Sequence, residues 1–96
     1  MSAYIFVSVE VHDSVRYEEY RKTVLPTIEA YGGKFLVRGG KMEVLEGGWP
    51  QRRIVIVEFP SADKARAWWH SPEYAAPKAL RQATSHTEMI LVEGVR

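Results

Sequence analysis

Between Ile5 and Val11 every odd position is aliphatic (Ile5, Val7, Val9, Val11), whereas the even positions Tyr4, Phe6, Ser8 and Glu10 mix apolar with polar. A period of two in a run rich in β-branched and aromatic residues predicts a strand with one dry face over Ala3 to Val11. The period then changes. Tyr17, Tyr20, Val24, Ile28 and Tyr31 recur at spacings of three and four, which makes one continuous helical face. Asp13 or Ser14 caps the start of that helix, and Glu18 and Glu19 in its early turns suit the positive end of the helix dipole. Pro26 predicts a kink near Lys22 to Leu25, and the pair Gly32-Gly33 ends the helix in a left-handed cap.

Further on, Lys34 to Arg38 predicts a strand, Gly39-Gly40 a turn or bulge, and Met42 to Glu46 a short extra strand. Gly47 to Pro50 is a loop, after which Arg52 to Phe59 gives a strand that is apolar on both faces at its middle. Ser61 caps a second helix on which Ala62, Ala65 and Trp69 share a face, with Trp68 beside it. Ser71-Pro72 breaks that helix and starts another. This last helix runs through Tyr74 to Ala83, bent at Pro77, with Ala76, Ala79, Leu80 and Ala83 as its apolar stripe. Thr87 to Glu93 is the closing strand.

This order predicts an α+β fold: a ferredoxin-like sandwich, βαββαβ with an extra short strand, with one antiparallel sheet and helices on one face, in a single domain over residues 1–96. The helices cover one face of the sheet only, yet Ile54 and Ile56 stand opposite Val55 and Val57, and Ile90 and Val92 opposite Met89 and Leu91. An apolar sheet face left in water is an association site. The expected partner is a second copy, in a homodimer that packs sheet against sheet.

Composition narrows the function. Thirteen Lys plus Arg against twelve Asp plus Glu leave a formal charge of +1, too weak a field to favour nucleic acid or a membrane surface as partner. The chain has no cysteine, so it offers no disulfide, thiolate nucleophile or Cys-ligated metal. Its three histidines are too scattered for a metal site, and no cofactor is expected. The N-terminus lacks the pattern of a signal peptide or spanning helix, which makes a cytoplasmic location the default expectation.

Three groups of residues carry candidate chemistry. Arg38 and Arg53 fall near strand ends on neighbouring segments, where guanidinium groups can hold a carboxylate or enolate bidentately; the alternative is an ion pair with Glu46 or Glu58 that fixes sheet geometry. Tyr17, Tyr20, Trp69 and Tyr74 either pack in the core or line a ligand pocket. Trp49, in a glycine-rich loop, has little local core to join and either caps such a pocket or reaches the partner subunit. His70, at a helix end, is a candidate general acid or base or a cation favoured by the helix C-terminus.

The run Tyr17-Glu-Glu-Tyr20, the stretch Tyr31-Gly-Gly-Lys-Phe-Leu-Val-Arg-Gly-Gly40, Glu43 to Gly47, Arg53 through Ser61, and Trp69-His-Ser-Pro-Glu-Tyr74 together resemble the domain of unknown function 1330 family. The resemblance spans nearly the whole chain and implies the dimeric α/β-barrel superfamily, whose members include cofactor-free monooxygenases and isomerases, haem-degrading enzymes and stress-responsive proteins. It implies a pocket between sheet and helices for a small anionic or enolisable molecule, with Tyr17, Tyr20, Arg38, Glu46, Trp49, Arg53, Glu58, Trp69 and Tyr74 as ligand-binding candidates. Arg38, Arg53 and His70 are the catalytic candidates. Whether the chain is an enzyme or a non-catalytic ligand-binding or stress-response dimer stays open, because one fold hosts many sites.

Overall fold

The computed structural model describes residues 1–95. The elements, in chain order, are β1 (Ala3–Val11), α1 (Ser14–Ala30), β2 (Lys34–Arg38), β3 (Arg53–Phe59), α2 (Ala62–Trp69), α3 (Pro72–Thr84) and β4 (Ser85–Glu93). The strands form one antiparallel sheet in the order β2-β3-β1-β4, which is the ferredoxin-like arrangement with the helices packed on one face. Ile5, Val7 and Val9 of β1 are buried, as the alternation requires, and join Val55, Val57 and Phe59 of β3 and Tyr17, Tyr20, Val24 and Ile28 of α1 in one core, against which Val11 packs partly buried.

Local chemistry sets the element ends. Asp13 accepts a hydrogen bond from the Arg16 N–H and caps α1, while Ser61 and Ser71 do the same for α2 and α3. At the other end of α1 the N–H of Gly33 donates to the Ile28 carbonyl and that of Gly32 to the Glu29 carbonyl, both at 3.0 Å, and Gly32 has φ +79°. This pair of bonds, closed by a left-handed residue, is a Schellman cap, and it explains why the glycine pair stops the helix. Pro26 and Pro77 both lie within their helices.

The structure corrects two expectations. Met42 to Glu46 do not form a strand; residues 40–52 run as a loop. β3 pairs with one side of β2, and the Gly39 N–H bond to the Ile54 carbonyl (2.9 Å) closes that ladder; Gly39, with φ +72°, then turns the chain away, so the segment that follows adds no strand to the free edge of β2. The inner face of α3 also differs from the alanine stripe. Tyr74, Arg81 and Thr84 are buried and Leu80 partly so, while Ala76, Ala79 and Ala83 are exposed. Alanine is the best helix former but gains little from burial, whereas a large aromatic side chain decides which face turns inward.

Candidate functional site

Between α1, α3 and the sheet lies a cavity whose lining includes Arg21 from α1, Arg38 from the end of β2, Arg53 from the start of β3 and Arg81 from α3, with Tyr17 and Tyr20 from α1. The antiparallel pairing of β2 with β3 places Arg38 opposite Val55, which brings the end of one strand beside the start of the next. Val7, Val9, Val55, Phe35 and Trp68 are among the apolar residues of the remaining wall. The space open to the centres of water molecules is about 30 Å³, and the cavity extends a water radius beyond it on every side. The lining contains no aspartate, glutamate, histidine or lysine.

Four arginines therefore line one cavity with no carboxylate in its wall. Arg38 donates to the Arg21 backbone carbonyl at 2.7 Å and lies over the Phe35 ring at 4.3 Å. Burial, and then the charges of Arg21 and Arg53, hold its pKa below the ordinary arginine value. Arg21 reaches outward to Glu18 at 2.8 Å, but its Nε–H, like that of Arg53, is buried without an acceptor among the described residues. Burial raises the Tyr17 phenol pKa, and Arg53, Arg81 and Arg21, in that order, act against the shift. The charges of these guanidinium groups are thus felt at a single phenol.

Arg53 holds its place through Gly39. A Cβ on Gly39 would collide with the Arg53 guanidinium, and Gly39 has φ +72°. The position demands glycine on both counts. Arg81 is 4 % exposed and makes no ion pair among the described residues; its Nε–H donates to the Tyr74 hydroxyl at 3.1 Å. Tyr74 is fully buried, stacked on Trp68 with ring centroids 4.0 Å apart, and its hydroxyl lies 3.1 Å from that of Tyr20.

Of the residues that the sequence singles out, the fold brings Tyr17, Tyr20, Arg38 and Arg53 together on this cavity, with Tyr74 behind Tyr20. Trp69 is half-buried and faces the neighbouring grooves, under the Lys78 ammonium at 4.4 Å. His70 is exposed at the end of α2. Glu58 lies on the opposite side of the sheet, 3.4 Å from Lys34, and Glu46 and Trp49 border grooves on that side with Phe6 and Ile54. Neither Arg38 nor Arg53 is paired with Glu46 or Glu58, so the alternative of a purely structural ion pair does not hold. Arg21 and Arg81 escaped the sequence reading. Arg81 sits at helical spacing from Tyr74, seven residues on, and that spacing was the available signal.

The fold is widely shared. A protein of unknown function from Rhodopseudomonas palustris superposes with a TM-score of 0.80 at 19% identity, over 99% of this chain and 83% of that one. A dimeric ferredoxin-like protein of unknown function from Jannaschia sp. CCS1 gives 0.73 at 11%, over 98% and 100%. SnoaB, a cofactor-independent oxygenase from Streptomyces nogalater, gives 0.65 at 12%, over 99% and 94%. At these identities the likeness is one of fold. No protein of curated function matches the sequence. The match that extends from fold to sequence covers residues 2–95, and by it the chain belongs to the family defined by the domain of unknown function DUF1330.

Proposed function

We propose that the protein is a homodimer in which each subunit binds a small organic anion in the cavity between sheet and helices. One observation carries this reading: four arginines line the cavity without a single carboxylate in its wall. Each buried Nε–H of Arg21 and Arg53 that lacks an acceptor costs about 1–3 kcal/mol, and an anion relieves such a cost. The size of the space favours a ligand of few non-hydrogen atoms. Titrating the protein calorimetrically with propionate tests the reading. Saturable binding that Arg53→Gln weakens at least tenfold is the expected result; absence of binding, or binding indifferent to Arg53, overturns it.

The face of the sheet away from the helices supports the dimer. Phe6 pairs with Ile56 on one side and Ile90 on the other, and Phe6 and Ile90 are 39 % and 59 % exposed. Leu45 and Trp49, in the loop beside this face, are also exposed. A second copy would cover these groups, and the Jannaschia protein of the same fold is itself described as dimeric. A catalytic reading draws on the fold likeness to a cofactor-independent oxygenase. The lining holds no group that acts as a base at neutral pH, so such catalysis would rest on stabilising a negative oxygen rather than on proton abstraction by a side chain.

A further inference from the structure

A second feature of the cavity adds a hydroxyl donor to the arginine charges. The three polar groups Arg81, Tyr74 and Tyr20 form a chain, with the Arg81 Nε–H donating to Tyr74 Oη and the two hydroxyls 3.1 Å apart. Only one orientation of the hydroxyl protons satisfies it. If Tyr20 donated to Tyr74, the Tyr74 oxygen would accept twice while its own proton, in a fully buried side chain, would have no acceptor among the described residues. Leaving such a group unpaired costs about 1–3 kcal/mol. If Tyr74 donates to Tyr20 instead, each group inward of Tyr20 is paired, and the proton left over is that of Tyr20. Tyr20 is the member of the pair that lines the cavity. Burial, followed by the neighbouring Tyr74, raises its pKa well above the ordinary phenol value, so the group remains a donor across the neutral range. Donor chains of this kind polarise one another, since each bond given strengthens the next.

We infer that the cavity recognises two unlike ends of one ligand, a carboxylate at the arginines and an uncharged or enolic oxygen at the Tyr20 hydroxyl, so that its ligand class is the short 2-oxo acids. This inference rests on the anion-binding reading above and adds to it the second, hydrogen-bond-accepting oxygen. Lysine, glutamate and aspartate side chains are absent from the lining, and the donors present match a compound that carries acceptors only. An amino acid would bring an ammonium group among four guanidinium groups and is disfavoured.

Calorimetric titration with pyruvate and propionate, which have the same number of carbons and differ at the oxo oxygen, tests the inference. Pyruvate is expected to bind about tenfold more tightly than propionate, the worth of one hydrogen bond in a dry site. Tyr20→Phe is expected to reduce the roughly tenfold preference for pyruvate over propionate to near unity, and saturable propionate binding by the variant shows that it is folded. Equal binding of the two acids by the wild-type protein, still dependent on Arg53, overturns the 2-oxo acid inference and leaves the anion site standing. Binding of neither acid overturns both. The comparison within the wild-type protein needs no variant, so a Tyr20→Phe chain that fails to fold leaves the test decisive.

Discussion

Arg81 donates from Nε to the Tyr74 hydroxyl at 3.1 Å while only 4 % of its surface meets solvent. A buried guanidinium without a carboxylate partner is costly to the empty protein. Exchanging it for an apolar side chain of similar length should therefore separate stability from binding. Arg81→Met is expected to melt within a few degrees of the wild-type protein or above it, and to bind propionate at least tenfold more weakly. Thermal unfolding and calorimetry on the same sample check both halves.

Gly39 leaves the space that the Arg53 guanidinium fills, and its backbone is left-handed at φ +72°. Gly39→Ala should cost about 1–3 kcal/mol in denaturant unfolding and displace Arg53. Anion affinity should fall with it. Gly47, which is also left-handed at φ +82° but has nothing within reach of a Cβ, provides the control: Gly47→Ala should leave anion binding intact.

Burial, then Tyr74, lifts the Tyr20 pKa well above 10. A raised folded-state pKa means that the unfolded chain loses its phenolic proton first as pH rises, so the folded state is the better proton binder above pH 10 or so. The stability that the neutral phenol contributes is present below that pH and is lost as pH climbs toward the folded-state value. Unfolding free energy should decline above about pH 10, and Tyr20→Phe should flatten that decline. Urea unfolding between pH 8 and 11, followed by fluorescence, measures it.

Phe6 and Ile90 face away from the core and are only partly covered in the single chain. Phe6→Asp with Ile90→Lys should dissolve the sheet-to-sheet dimer without disturbing the core. Sedimentation is expected to give twice the 11.0 kDa chain mass for the wild-type protein and the single mass for the double variant. A wild-type monomer at micromolar concentration would refute the dimer.

Trp68 is the stacking partner of Tyr74 and also donates from Nε1 to the Thr27 hydroxyl at 3.1 Å. Trp68→Ala removes the platform that holds the Tyr74 hydroxyl in line, and should cost about 3–5 kcal/mol as a large-to-small core change. Chemical denaturation with circular dichroism checks it.

The strands and helices were legible because each follows from local chemistry. The alternation of Ile5, Val7 and Val9 sets the dry face of β1, and Asp13, Ser61, Ser71 and the Gly32-Gly33 pair mark where helices begin and end. The exposed apolar face was legible too, since residues on alternate positions of a strand must point to opposite sides. Two local readings failed for want of a neighbour. Met42 to Glu46 has strand-like composition but pairs with no strand, because the chain turns away from the edge of β2 at Gly39, and the alanines of α3 have the spacing of an inner face without the bulk to claim it.

What the sequence determined by itself, then, is the order of elements, their caps and the apolar side chains on both sheet faces, because these depend on residues within a few positions of one another. Only the tertiary structure decided which side chains share the cavity. Arg21, Arg38, Arg53 and Arg81 come from four elements and span sixty residues of chain, and Tyr20 meets Tyr74 across a separation of 54. No periodicity records such a meeting. Chain reversals and the antiparallel register bring those groups together, and the absence of a carboxylate beside them becomes visible only once the walls of the cavity are closed.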